Sequence, residues 1–312
     1  MADATAVVSI GTFDGIHLGH QAILAEVRCQ AERRRITSVA YAFGLPPRLQ
    51  AEEGPGRSLL LPESVKVRTL LRTVDRVVRA SFPKIRDLSP AEFAKEILSE
   101  QLHAESVVVG PSFRFGTQRV GDPETLQSLG KRHGFSVTVV PPVLVGGDPV
   151  SSTRIRSLLS GGNVAGAAAL LGRPPVLIGN VALGDQVGRT LGYPTANLAV
   201  DPYVLLPGNG VYVVRAFIGD SSNSVPRSGL LYVGTRPTLG TEGGELRCEV
   251  HLLAPPEGEL FGEQIEVHLL ERLRGDRTFA SLEDLRLQIE RDTDRVRGIL
   301  TRFSEPSAPI GG

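Results

Sequence analysis

Along the first half of the chain, short runs of β-branched and apolar residues alternate with stretches of helical period, the pattern of a parallel sheet covered by helices. Residues 6–10 are predicted as a strand, Ile16, Ile23, Leu24, Val27 and Ala31 as one helix face, and residues 39–43 as a second strand. Residues 106–110 and 135–140 continue as strands around a helix near 123–133, and 151–159 begin another helix. The LGRPP stretch at 171–175 supplies the Gly and Pro punctuation of a boundary. Beyond it strands dominate: 176–183, 211–218, 229–233, 247–253 and 264–270 are separated by Gly, Pro, Asn and Asp clusters, as in a small antiparallel barrel. A helix closes the chain, with Ser281 as N-cap, Glu283 and Asp284 in its first turn, and an apolar stripe of Leu282, Leu285, Ile289, Val296, Ile299 and Phe303. The tail 304–312, SEPSAPIGG, is expected to be disordered.

Composition narrows the class. At 312 residues, 41% of them hydrophobic, the chain has the length of about two ordinary domains and can bury a substantial core. No run approaches the roughly 18 apolar residues of a membrane helix. The N-terminus lacks the basic region and cleavage site of a secretory signal, so a cytoplasmic location is expected. Cys29 and Cys248 cannot form a disulfide framework or a cysteine-based zinc site. The 34 basic residues balance 34 acidic ones, which argues against a broad nucleic-acid surface. That zero hides a split: residues 1–175 carry a net +5 and residues 176–312 a net −5. Only Lys66, Lys84, Lys95 and Lys131 are lysines, so the second half has none. The arginine excess is read as base composition.

Candidate chemistry begins at the end of the first strand. The segment Val7-Val8-Ser9-Ile10-Gly11-Thr12-Phe13-Asp14-Gly15-Ile16-His17-Leu18-Gly19-His20 puts a glycine-rich turn between a buried strand and a helix. Such a turn presents backbone N–H groups at a helix N-terminus, where the macrodipole favours anions. His17 and His20, three apart, are expected on one face of the first helical turn, aimed at the same anion, with Gly19 allowing close approach. This stretch resembles the N-terminal motif of nucleotidyltransferases with a His-x-Gly-His signature, and within them the bacterial bifunctional riboflavin kinase/FMN adenylyltransferases, the FAD synthetases. The resemblance implies that Gly11, Phe13, Asp14 and Gly15 line an ATP site. There His17 and His20 would stabilise the charge that develops as the FMN phosphate attacks the α-phosphorus and pyrophosphate leaves. Gly110 and Phe113, in VGPSFRFG, resemble the family's flavin and nucleotide loop. Ser151, Ser152, Thr153 and Arg154 resemble its SSTRIR motif, which offers hydroxyls, a helix N-terminus and a guanidinium to phosphate. Two places depart from the pattern. Phe43-Gly44-Leu45-Pro46-Pro47 stands where the family carries Phe-Asp-Pro-His-Pro, and Ser112 stands where Asp or Asn precedes Phe113.

The second half carries GNVALGDQVGRTLGYPTANL at 179–198. Its glycines before a Pro-Thr-Ala-Asn turn make a loop able to wrap a nucleotide, while Thr195 and Asn197 offer oxygen ligands to Mg²⁺. Without lysine, neither a P-loop nor a protein-kinase site can exist here, so ATP phosphates must meet backbone amides, Mg²⁺ and Arg189. The segment resembles the riboflavin kinase motif, which implies ATP contacts at Gly184, Gly188, Arg189, Gly192 and Pro194 and Mg²⁺ ligation by Thr195 and Asn197. Arg247-Cys248-Glu249-Val250-His251 resembles the family strand whose glutamate is the catalytic base, which implies that role for Glu249. His251 shares its face and is read as structural, and Cys248 as a small buried residue.

The expected architecture is an α/β nucleotidyltransferase domain with a Rossmann-like parallel sheet over 1–170, followed by an antiparallel β-barrel riboflavin kinase domain with a C-terminal helix over 176–303. The implied substrates are ATP, riboflavin and FMN, with Mg²⁺ accompanying ATP and with FMN and FAD as products. No nucleic-acid or membrane partner is expected, and oligomeric state stays open. Two other readings also stay open: a riboflavin kinase whose first domain binds nucleotide or flavin without turnover, and a non-catalytic flavin-sensing regulator.

Overall fold

The computed structural model describes residues 5–44, 58–183, 193–219, 224–236, 245–256, 258–301 and 303. The chain divides into two compact units, Met1–Gly56 with Glu63–Ser152, and Arg57–Pro62 with Thr153–Gly312.

The first unit is built on five parallel strands: β1 (Ala6–Gly11), β2 (Thr37–Phe43), β3 (Arg76–Ala80), β4 (Ala104–Val109) and β5 (Ser136–Val139). They lie in the order β3-β2-β1-β4-β5, and a short antiparallel pair, β6 (Leu144–Val145) and β7 (Asp148–Pro149), follows β5 along the chain. Both faces of the sheet are covered, which is why its strands are continuous apolar runs in the sequence. Val8, Ile10, Val39, Tyr41, Val107 and Val109 pack with Phe93, Leu98 and Leu126 on one face. Val7, Ala40, Ala42 and Val108 pack with Leu24, Val27, Ala31 and Leu70 on the other. The strand order reverses between β1 and β4, and in open α/β sheets a ligand binds at such a switch point, outside the strands' carboxyl ends. The Gly11–His20 turn follows β1 and the Gly110–Phe115 loop follows β4, so topology brings those two motifs to one edge.

Local signals account for some of the helices. Asp122 accepts from Thr125 N (2.8 Å), Pro123 opens the helix Pro123–His133, and Gly134 at φ 83° ends it. The helix Leu18–Arg34 buries Leu24, Val27 and Ala31, as its spacing predicts. Ile16 is not part of that helix: it is buried in the preceding turn at φ 41°. The helix Glu63–Leu71, the edge strand β3 and the π-helical segment Phe93–Gln101 have no counterpart in the sequence-based expectation.

The second unit contains a closed barrel of β8 (Val176–Ala182), β9 (Thr195–Val200), β10 (Gly210–Ile218), β11 (Arg227–Arg236), β12 (Glu245–Leu252) and β13 (Gln264–Gly275). Their order is β10-β11-β12-β9-β8-β13, with every pairing antiparallel. Closure leaves no open edge among these strands. The Pro-Thr-Ala-Asn segment, predicted as a turn, instead runs into β9: Thr195 and Asn197 stand in a strand. The terminal helix Leu282–Leu300 is capped by Ser281, which accepts from Asp284 N (3.1 Å), and lays Val296 and Ile299 on Val211, Val213 and Leu273. Leu282, counted in the apolar stripe, is 61% exposed in the first turn, so the buried stripe is shorter than predicted. A buried Arg274–Asp292 ion pair (2.8 Å) ties that helix to β13. Residues 304–312 lie outside the described residues.

Candidate functional site

In the first unit the turn after β1 is held in a costly backbone conformation. Phe13 and Ile16 have φ of 47° and 41°, and Gly15 has φ 80°. For a β-branched residue such as Ile16 that region is strained, and strain of this kind persists where the surroundings impose a functional geometry. The Ile16 N–H bonds the Phe13 carbonyl (3.2 Å), and Ser152 Oγ bonds the Asp14 carbonyl (3.0 Å), which brings the Ser151-Ser152 motif onto this turn. Asp14 is buried. Thr153 and Arg154 follow Ser152 in the helix Ser152–Ser160 and group with the second unit.

His17 is the N-cap of the helix rather than a member of its first turn, and its Nδ1 accepts from His20 N (3.3 Å). The two imidazoles stack with centroids 3.7 Å apart and planes 15° apart. A Cβ on Gly19 would sit 3.2 Å from two atoms of the His17 ring, so the glycine makes room for that imidazole. Nδ1 of His20 is buried without a hydrogen-bond partner, and the ring meets Phe13 edge-on at 5.5 Å. Burial, then the neighbouring His17 and Lys66, holds the His20 pKa well below the ordinary histidine value. Gly110 follows β4 and faces Ile23, and Phe113 stacks on the buried Phe115 at 5.5 Å. Ser112 is exposed.

Two side chains that the sequence did not single out complete this edge. Lys66, only 4% exposed, donates to the carbonyl oxygens of Phe43 and Gly44, the latter at 2.7 Å. Glu63 places its carboxylate where a side chain at position 44 would go: a Cβ on Gly44 would be 3.2 Å from both its oxygens. The signal available was a lysine amid the apolar positions Val65 and Leu70, in a chain that otherwise prefers arginine. Leu45, Pro46 and Pro47 lie outside the described residues.

In the second unit the barrel register assembles the other group. Glu249 on β12 pairs with Asn197 on β9 and with Tyr232 on β11. Cys248 and Val250 are buried and pair with Val233 and Leu231, so they face the barrel interior, while Arg247, Glu249 and His251 share the outer face. The Glu249 carboxylate accepts a long hydrogen bond from Thr195 Oγ1 (3.4 Å) and faces Arg247 Nη1 at 3.8 Å. His251 Nδ1 lies 3.0 Å from the Pro194 carbonyl, which can only accept, and its ring meets Tyr193 edge-on at 5.5 Å. His251 thus secures the chain entering β9. Gly184, Gly188, Arg189 and Gly192 lie outside the described residues. Among the described residues no cluster of His, Cys, Asp and Glu could hold a metal by itself, and no helix is long and apolar enough to cross a membrane.

Sequence profiles described as FAD synthetase and riboflavin kinase match residues 1–154 and 171–300. The bifunctional riboflavin kinase/FMN adenylyltransferase of Escherichia coli (strain K12) is 36% identical over 291 residues, covering 92% of this chain and 90% of that protein. The protein of the same name from Pseudomonas fluorescens is 37% identical over 296 residues, covering 94% and 92%. A crystal structure described as a macrolide-efflux protein from Streptococcus pneumoniae superimposes with a TM-score of 0.82 at 30% identity, covering 94% of each chain. With both domains present and the match running through nearly its whole length, the chain belongs to the bifunctional riboflavin kinase/FMN adenylyltransferase family.

Proposed function

We propose that the barrel unit transfers the γ-phosphoryl group of ATP to the 5′-hydroxyl of riboflavin, giving FMN and ADP. The first domain then joins FMN to the adenylyl group of a second ATP, giving FAD and pyrophosphate. The observation that carries the first step is the β9–β12 register, which sets Asn197 opposite Glu249 with the Thr195 hydroxyl against the carboxylate. Glu249 takes the hydroxyl proton as the riboflavin oxygen attacks phosphorus, and the bond to the ADP oxygen breaks. Arg247 stands beside that carboxylate, Nη1 to Oε1 at 3.8 Å.

Thr195 and Asn197 would hold Mg²⁺. A hydroxyl and an amide near a single carboxylate suit a cation that keeps its water and shares ATP phosphates, not one that needs a closed set of protein ligands. When bound, Mg²⁺ supplies positive charge to the phosphate oxygens. With no lysine after residue 175, the glycine-loop amides and Arg189 are the protein's own contribution to that charge.

In the first domain, whose functional extent we take as 1–170, a phosphate oxygen of FMN attacks the α-phosphorus and pyrophosphate departs. The turn Gly11–Gly15, the helix N-terminus at His17, His20 and the Ser151-Ser152 pair carry the stabilisation of that charge. Phe113 offers an aromatic surface to the flavin. We place the protein in the cytoplasm, where ATP is supplied. Radiolabelled ATP tests the scheme. Label in the γ-phosphate should enter FMN and label in the α-phosphate should enter FAD; α-label that never reaches a flavin would remove the second activity.

A further inference from the structure

We infer that Lys66 is a positioning residue of the first site: its ammonium pins the carboxyl end of β2 beside the turn of that site and sets positive charge near His20. This inference rests on the adenylyl-transfer reading of that site. The geometry starts from the backbone. Ala42, just before the two carbonyls that Lys66 binds, pairs with Gly11, where the turn of the site begins. A helix side chain that clamps Phe43 and Gly44 therefore fixes the strand end lying directly beside that turn.

A lysine this buried needs opposite charge as well as hydrogen bonds. The carboxylates within its electrostatic reach are Asp14, in the turn itself, and Glu63, one helical turn away and seated over Gly44; Arg79, 3.5 Å from Glu63, opposes it. Four charged groups thus surround the ends of β1, β2 and β3, and the imidazoles facing them are His17 and His20. The buried, unpartnered Nδ1 of His20 has no acceptor to favour an imidazolium, and both neighbours that act on it electrostatically, His17 and Lys66, disfavour one. The His20 imidazole is thereby held neutral and can serve as a donor, while the Lys66 ammonium nearby has its pKa lowered first by burial and raised again by Asp14 and Glu63. An imidazole held neutral well below the ordinary histidine range keeps the same charge across neutral pH, so its donation to the departing pyrophosphate does not vary there.

The test uses full-length Lys66→Met and Lys66→Arg, histidine-labelled NMR titration, and FMN adenylylation as a function of pH. In Lys66→Met the His20 titration should move up from its wild-type position. The kcat for FAD formation should fall at least about tenfold while KM for ATP changes less than about threefold, because positioning rather than binding is lost. Lys66→Arg should keep the His20 titration low and restore most of kcat. A His20 titration that is the same in wild type and Lys66→Met overturns the inference. If the Met variant does not fold, the Arg variant decides, and His20 titrating in the ordinary range there would overturn it. A wild-type protein that makes no FAD defeats the adenylyl-transfer reading instead, and the His20 titration still judges Lys66.

Discussion

Replacing Glu249 by Gln removes one charge while keeping the side chain's size. The carboxylate is 17% exposed and meets Arg247 at 3.8 Å and the Thr195 hydroxyl at 3.4 Å. A partly exposed pair of that length is worth no more than about 1 kcal/mol, which for a unit of this size moves the unfolding midpoint by about 2–4 °C at most. Loss of a general base costs far more in rate, about 10²–10⁴ in kcat, or about 3–5 kcal/mol of barrier. Phosphorylation of riboflavin should therefore fall by that factor with KM for ATP nearly unchanged, while conversion of supplied FMN to FAD continues at the wild-type rate. Chromatographic separation of the flavins over time measures both activities in one preparation, so the second reports on folding while the first reports on the base. FMN formation within about threefold of wild type would refute the role of Glu249.

Replacing His20 by Ala should do the reverse, lowering FAD formation from FMN by about 10²-fold or more while riboflavin is still phosphorylated; normal FAD formation would exclude His20 from the site. Asp292→Ala leaves Arg274 without its buried partner and releases Gln288 as well, so thermal unfolding followed by circular dichroism should show a loss of about 3–5 kcal/mol. A loss under about 1 kcal/mol would mean that the pair is screened by solvent. The hydrogen bonds of Ser38 hold the Asp75 carboxyl below the usual aspartate value. That contribution to stability is full above the unfolded-state pKa and disappears as pH falls through the folded one. Ser38→Ala should therefore destabilise the protein at neutral pH, and the gap from wild type should narrow on acidification; a gap that widens toward acid would contradict the linkage.

Elements with local punctuation were legible in the sequence, and elements decided by tertiary pairing were not. The helix Pro123–His133 carries its own stop and start in Asp122, Pro123 and Gly134, and the terminal helix carries Ser281. The strand β9 was hidden because Pro194 and Asn197 are turn formers; only pairing with β8 and β12 makes that stretch a strand. The edge strand β3, Arg76–Ala80, is only partly buried and flanks two valines with arginines, so its apolar run is too short to stand out. Motif spacing pointed to His17 and His20, which stand at a local turn, and the family resemblance pointed to Glu249 on its alternating strand. Neither pointed to Lys66 or Glu63, whose importance comes from Gly44 being a chain neighbour of neither. The missing acid at position 44 looked like a lost function in the sequence; in the fold, the Glu63 carboxylate occupies that space.

The most direct test of the two-activity account is a time course of purified wild-type protein with riboflavin, ATP and Mg²⁺. The account predicts that FMN rises first and FAD follows from it, with pyrophosphate released in equal amount to FAD. Riboflavin that remains unchanged would contradict the account, and FMN that accumulates without any FAD would contradict its second half.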